Sequence, residues 1–187
     1  CTANIIRVVY TLNQEFSSKD SLMVVRRNFS PVPWELEESD QYIQIVTEKV
    51  RLKINKETSA FSYYDQDGTL LMKEPDTGGK YLIPTQVTKT IFDQNAVIKS
   101  EASADGVKVR ATEAGTVVDR TAYHWKLEFE WDQNEALYGL GSYEEGIFNY
   151  RNHHQYLYQQ NMRVAVPCLV STKGYGILFD SYSFMAF

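Results

Sequence analysis

Apolar residues recur at every second position through long parts of this chain, and that period restricts those parts to β-strands. Val50, Leu52 and Ile54 fall on one side of their segment, with Lys49, Arg51 and Lys53 on the other. Trp125, Leu127, Phe129 and Trp131 alternate in the same way with Lys126, Glu128 and Glu130. Successive side chains of a strand point to opposite faces, so each run predicts a half-buried antiparallel strand with one face on a core and one in water. Turn residues punctuate the runs. Asp65-Gln66-Asp67-Gly68 joins residues 61–64 to residues 69–72 as a hairpin, Ala104-Asp105-Gly106 precedes Val107-Lys108-Val109, and Asp132-Gln133-Asn134 closes the second run. Ile5-Ile6-Arg7-Val8-Val9 reads as a first strand. Helical spacing is short and local at most, near residues 20–22 and 144–148. Many short strands with regular turns predict an all-β fold, an antiparallel β-sandwich with little helix.

A chain of 187 residues suffices for one domain with a real core, and no repeat, low-complexity tract or linker divides it, so residues 1–187 are expected to form a single domain. Aromatic residues make up 13%, which suits a core filled by large rings. Residues 28–38, 74–85, 112–122 and 143–162 lack alternation and read as loops; the last is the longest, and loops of that length are often functional.

The charge pattern excludes a nucleic-acid partner. The net charge is −5, and the densest basic stretch, Lys49-Val50-Arg51-Leu52-Lys53, is the wet face of a strand rather than a phosphate track. No apolar run approaches the roughly 20 residues of a membrane-spanning helix, and no basic segment followed by an apolar one marks a signal peptide. Cys1 has two readings, a lipid-bearing cysteine or an ordinary strand residue; the strand-like residues that follow without a linker favour the second. Whether Cys1 and Cys168 pair is open.

The chemistry-bearing candidates mostly reduce to structure. Gly139-Leu140-Gly141 lacks the third glycine and the following helix of a dinucleotide site, and its glycines are better read as backbone requirements where a strand turns. Glu144 and Glu145, like Glu37 and Glu38, are neighbours in sequence. A retaining glycosidase needs two carboxyls about 5 Å apart that face one bond, and adjacent residues on an extended chain face opposite ways. His124, His153 and His154 lack the spaced company of a metal site, so no metal or other cofactor is expected. Gly141-Ser142-Tyr143 lacks the spacing of a nucleophile elbow, and Cys168 follows Pro167 in the apolar run 164–170, where a buried thiol is the ordinary outcome.

The stretch 137–180 carries a stronger signal. It runs Leu137-Tyr138-Gly139-Leu140-Gly141-Ser142, then Asn149-Tyr150-Arg151, then Gln160-Asn161-Met162-Arg163-Val164-Ala165-Val166-Pro167, then Lys173-Gly174-Tyr175-Gly176-Ile177-Leu178-Phe179-Asp180. This order of glycines, aromatics and one proline resembles the end of the N-terminal β-sandwich of glycoside hydrolase family 31, which holds α-glucosidases and α-xylosidases. Asn149-Tyr150-Arg151 and Val166-Pro167 look most like its bacterial α-xylosidase-type members. Export of the parent enzyme to the periplasm or the medium is compatible with such a source.

The resemblance implies a mutarotase-like supersandwich that precedes a catalytic (β/α)8 barrel. Both catalytic carboxylates of the family lie on that barrel, and no residue of this chain matches their motifs, so the resemblance implies no catalytic residue here and no activity for the chain alone. It also implies that the loop after the Tyr-Gly-Leu-Gly strand leans over the barrel mouth. A polar residue on that loop contacts an oligosaccharide substrate beyond the sugar that is cleaved. By position that residue corresponds to Asn161, flanked by Gln160 and Met162. Some relatives carry an acid there, so Asn161 implies a different outer sugar. Tyr156 and Tyr158 are candidate stacking surfaces or packing residues. The implied partner is the parent's own barrel, docked where Phe179, Tyr182, Phe184, Met185 and Phe187 crowd together. The alternatives are an independent carbohydrate-binding module, a purely structural or partner-binding sandwich, and a mutarotase-like epimerase using His153 or His154 with Glu144 or Glu145.

Overall fold

The structure, a computed structural model, describes residues 2–12, 15–25, 28–92, 94–112 and 114–187. Cys1 lies outside them, and with it any pairing to Cys168, which is half-buried. The described residues form strands and no helix, so none of them forms a helix long and apolar enough to cross a membrane. Every ladder is antiparallel. The chain divides into two compact units, residues 1–79 with 128–187, and residues 80–127.

In the first unit, β1 (Trp34–Glu38), β2 (Tyr42–Thr47), β3 (Val50–Asn55), β4 (Phe61–Asp65) and β5 (Leu70–Lys73) form a five-stranded meander in chain order. The alternation around Leu52 holds only in part: Leu52 is buried, but Arg51 and Lys53, expected on the wet face, are half-buried like Val50 and Ile54. The β4–β5 hairpin is built by its turn residues. Asp65 Oδ1 accepts hydrogen bonds from the Asp67 and Thr69 amides at 2.9 and 2.8 Å. Gly68 takes a φ of 84°, the left-handed conformation a tight turn asks of glycine.

The same unit contains a three-stranded sheet, β10 (Leu137–Ser142), β12 (Val164–Ser171) and β13 (Gly176–Leu178) in the order β10-β12-β13. It also contains a short pair, β11 (Tyr156–Leu157) with β14 (Met185–Ala186). Leu137, Leu140, Tyr150, Leu157, Leu169 and Met185 form the buried core, with Trp131, Tyr143, Ile177 and Phe187 packed against it. Residues 6–10 form no ladder. Thr2 and Ile5 make only an isolated bridge, and Val8 and Val9 stay exposed. Strand-forming residues need a partner strand, and the described residues supply none there.

In the second unit, β6 (Lys80–Phe92) and β9 (Ala114–Leu127) pair as one long ribbon, and β7 (Ile98–Ser103) and β8 (Gly106–Ala111) form a hairpin whose turn is Ala104-Asp105, with Gly106 opening β8. This corrects the loop reading over residues 80–85 and 114–122, as β1 and β11 correct it over 34–38 and 156–157; residues 74–79 and 112 lie in no strand. Most ribbon residues are exposed, so no buried face imprints an alternation on the sequence. The strand signal that remains is a run of β-branched residues, among them Thr88, Thr90, Ile91, Thr116, Val117 and Val118. Pro84 is tolerated because each strand of a two-stranded ribbon is an edge.

The run from Trp125 to Trp131 is likewise two pieces. β9 ends at Leu127, and the chain re-enters the first unit at Glu128. There the Glu128 amide donates to the Gly79 carbonyl at 2.8 Å, so the points of departure and return touch. A Cβ on Gly79 would stand 2.5 Å from the Glu128 carbonyl oxygen.

Candidate functional site

The Tyr138-Gly139-Leu140-Gly141 segment sets the frame of the site. Gly139, Leu140 and Gly141 all take positive φ, 108°, 63° and 120°, and the β10–β12 register shifts between the two glycines. The bulge turns the strand so that Leu140 enters the core. A Cβ on Gly139 would lie 2.3 Å from the Cys168 carbonyl oxygen, and one on Gly141 only 1.9 Å from that of Val164. Both glycines are therefore demanded by β12 passing alongside, as the backbone reading expects.

Asn149, Tyr150 and Arg151 bind the following loop to this sheet. Asn149 Oδ1 accepts from the Leu137 and Arg151 amides, each at 3.0 Å, and Tyr150 is buried with its amide donating to the Leu137 carbonyl at 2.8 Å. Arg151 Nη1 donates to the carbonyls of Asp132 and Glu135. The buried Glu135 carboxylate accepts from the Ser171 and Tyr175 hydroxyls and from the Asp132 amide. Burial first, then the hydrogen bond to Glu135, pushes the Tyr175 phenol well above its ordinary range.

From this frame the chain reaches Gln160, Asn161 and Met162. Gln160 and Arg163 form an antiparallel bridge, with the Arg163 amide donating to the Gln160 carbonyl at 3.1 Å. Asn161 and Met162 are the turn between them, and all three candidate residues are exposed. The structure thus places them together at the tip of one tight turn at the start of β12. Met162 occupies the left-handed region with φ 65°, which is unfavourable for a residue with a side chain.

The base of the turn is braced from two sides. Arg163 Nη2 lies 2.6 Å from Glu145 Oε1, and Arg163 Nη1 donates to the Tyr158 hydroxyl at 3.2 Å, with the guanidinium 5.5 Å from the Tyr158 ring centre. Gln159 Nε2 donates to the Arg163 carbonyl at 2.8 Å, and Gln159 Oε1 accepts from the Ala165 amide at 3.3 Å. Burial and then Tyr150 raise the Tyr143 phenol, with Glu145 adding and Arg163 opposing; burial and then Glu145 raise that of Tyr150. The sequence does not disclose that Arg163 and Glu145 pair, and there Glu145 reads only as a candidate acid–base carboxylate. The available signal was a lone arginine heading the apolar run 164–170.

Tyr156 and Tyr158 belong to an aromatic row. Tyr156 and Phe184 stack at 5.6 Å with 25° between their planes, Tyr158 lies 6.1 Å from Phe184, and His154 lies 4.4 Å from Tyr156. The C-terminal apolar residues divide: Met185 and Phe187 serve the core, while Tyr182 and Phe184 are more than half exposed. Glu144 and Glu145 sit side by side in a turn, with Glu145 engaged by Arg163. Among the described residues no group of three or more His, Cys, Asp or Glu side chains is arranged to hold a metal ion.

Strand composition, uniformly antiparallel ladders and the bulged glycine strand define an all-β sandwich domain of the galactose mutarotase-like class. The whole chain, residues 1–187, matches the family described as the glycosyl hydrolase 31 N-terminal galactose mutarotase-like domain, and it belongs to that family.

One relative is an α-xylosidase of Saccharolobus solfataricus, 36% identical over an alignment of 72 residues that covers 34% of this chain and 10% of that protein. Among solved structures, a GH31 α-xylosidase from Xanthomonas citri superposes with a TM-score of 0.63 at 25% identity, over 88% of this chain and 14% of that one. A GH31 α-xylosidase from a soil metagenome, solved with xylose, shares the fold with a TM-score of 0.60 at 19% identity, over 92% of this chain and 23% of that one. The chain therefore spans a quarter or less of each of these relatives.

Proposed function

We propose that this domain is the non-catalytic N-terminal part of a retaining α-glycosidase of the α-glucosidase or α-xylosidase type. It packs on the enzyme's catalytic barrel and offers the 160–162 turn to the substrate beyond the cleaved sugar. The observation that carries the reading is the turn itself, a tight, exposed and braced projection at the start of β12 in a family whose α-xylosidase members this chain resembles. An asparagine carboxamide both donates and accepts hydrogen bonds, which suits it to a sugar hydroxyl. The chemistry itself, formation and hydrolysis of a covalent glycosyl intermediate by two carboxyls, belongs to the barrel.

Substituting Asn161→Ala in the full-length enzyme tests the assignment. The expected result is a raised KM for substrates with an outer sugar and little change in kcat. Kinetics unchanged across substrates would remove Asn161 from the site. The purified chain alone is expected to hydrolyse neither α-glucosides nor α-xylosides above a mock preparation, and clear turnover would refute the non-catalytic role.

The stacked and exposed Tyr156 and Phe184 rings favour a second reading, an independent carbohydrate-binding module with an aromatic platform. Calorimetry of the isolated chain with oligosaccharides separates the two. Measurable affinity supports the module, whereas the first reading expects weak binding or none, because most of the pocket belongs to the barrel.

A further inference from the structure

We propose that Arg163, held by Glu145 and Tyr158, is the positioning residue that sets the turn and thereby the enzyme's discrimination of the outer sugar; this deepens the proposed function and rests on it. Two local choices at this point run against stability. Met162 adopts a left-handed backbone that glycine would take freely. Arg163 buries its Nε–H without a hydrogen-bond partner among the described residues, a loss that an apolar residue of similar bulk would avoid. Departures from local rules that cluster in one turn are expected where shape is selected for function.

The contacts say what the arginine does there. Its guanidinium joins the Glu145 turn to Tyr158, the residue after β11, and to the first residue after the tip, so the two arms of the turn and the separate Glu145 turn meet on one side chain. Arg163 is only 20% exposed at its side chain, and Glu145 36%, so water screens the pair incompletely. The main chain of Arg163 closes the turn through the Gln160 carbonyl and is gripped again by Gln159. A rigid guanidinium fork fixes direction as well as distance, which a lysine ammonium does not. The orientation of Asn161 is therefore a consequence of where Arg163 is held, and a shift of the brace displaces the hydrogen-bonding group without touching the carboxyls on the barrel.

The test uses the full-length enzyme that carries this domain. Arg163→Ala, Arg163→Lys, Glu145→Gln and Asn161→Ala are compared on two substrates, an α-linked oligosaccharide with an outer sugar and an aryl α-glycoside without one. Thermal melting of each variant is recorded alongside. For Arg163→Ala the KM for the oligosaccharide is expected to rise roughly tenfold, the scale of one mispositioned polar contact, with kcat on the aryl substrate unchanged. Arg163→Lys restores the charge beside Glu145 and recovers part of the loss, and Glu145→Gln reproduces a part of it.

If Asn161→Ala raises the oligosaccharide KM and Arg163→Ala does not, this inference falls and the proposed function stands. If both are silent, the turn lies outside the site and both readings fall. If Arg163→Ala harms both substrates equally and lowers the melting temperature, its role is only structural and the inference is overturned. If Arg163→Ala discriminates between substrates while Asn161→Ala is silent, the inference stands and the contact passes to Gln160 or Met162.

Discussion

Gly141 lies directly under the carbonyl of Val164: a Cβ built on the glycine would stand 1.9 Å from that oxygen, and its φ of 120° is one that residues with side chains rarely adopt. Gly141→Ala must move β12 or strain β10. It is expected to cost about 3 kcal/mol, near the top of the ordinary range for single substitutions, read as a lowered urea midpoint. A midpoint within error of the parent chain would show that β10 and β12 are not in this register.

Leu169 and Val170 are neighbours on β12 with opposite surroundings, the first 1% exposed in the core and the second 48% exposed. Leu169→Ala should therefore destabilise by about 3 kcal/mol through lost burial and the cavity left behind. Val170→Ala should stay within about 0.5 kcal/mol, as surface substitutions do. Equal losses in parallel urea titrations would contradict the assigned faces.

Glu135 gathers the Ser171 and Tyr175 hydroxyls and the Asp132 amide in a buried position. Glu135→Ala strands all three donors and is expected to cost about 3 kcal/mol. Glu135→Gln keeps an acceptor and should cost less. Unfolding curves that rank the two in the reverse order would show that the hydroxyls have other partners.

Tyr63 and Tyr175 both have phenols raised above the ordinary value of 10.0, Tyr63 by burial and then Glu74, Tyr175 by burial and then Glu135. The folded chain keeps protons that the unfolded chain gives up, so this contribution is whole below about pH 10 and shrinks as pH rises above it. Urea midpoints should fall between about pH 10 and pH 11, and Tyr63→Phe should flatten that fall. Stability that is level across the interval would refute the linkage.

What the sequence reveals depends on which interactions leave a periodic or chemical mark. The β4–β5 turn is legible because Asp65 and Gly68 act locally, within the residues that name them. Gly139 and Gly141 are legible as backbone requirements, although the reason, the Cys168 and Val164 carbonyls, comes from a strand more than 20 residues away. The β6–β9 ribbon hides because neither face is buried enough to impose alternation. The brace at Arg163 hides for a different reason: Glu145 meets it only in three dimensions, and an acid beside another acid invites a catalytic reading instead. The 160–162 turn carries no alternation, and only the resemblance to the family marks it.

The contact between Gly79 and Glu128 makes residues 80–127 a parenthesis in the chain. Among the described residues, no strand outside it draws its ladder partner from inside. Its contents are thus free to lengthen, shorten or be exchanged over evolutionary time, or by an engineer, while the surrounding text still reads correctly. The brackets have no such freedom. With its missing side chain, Gly79 lets opening and closing marks touch, so variation among descendants should pile up within the insert and stop abruptly at its two ends.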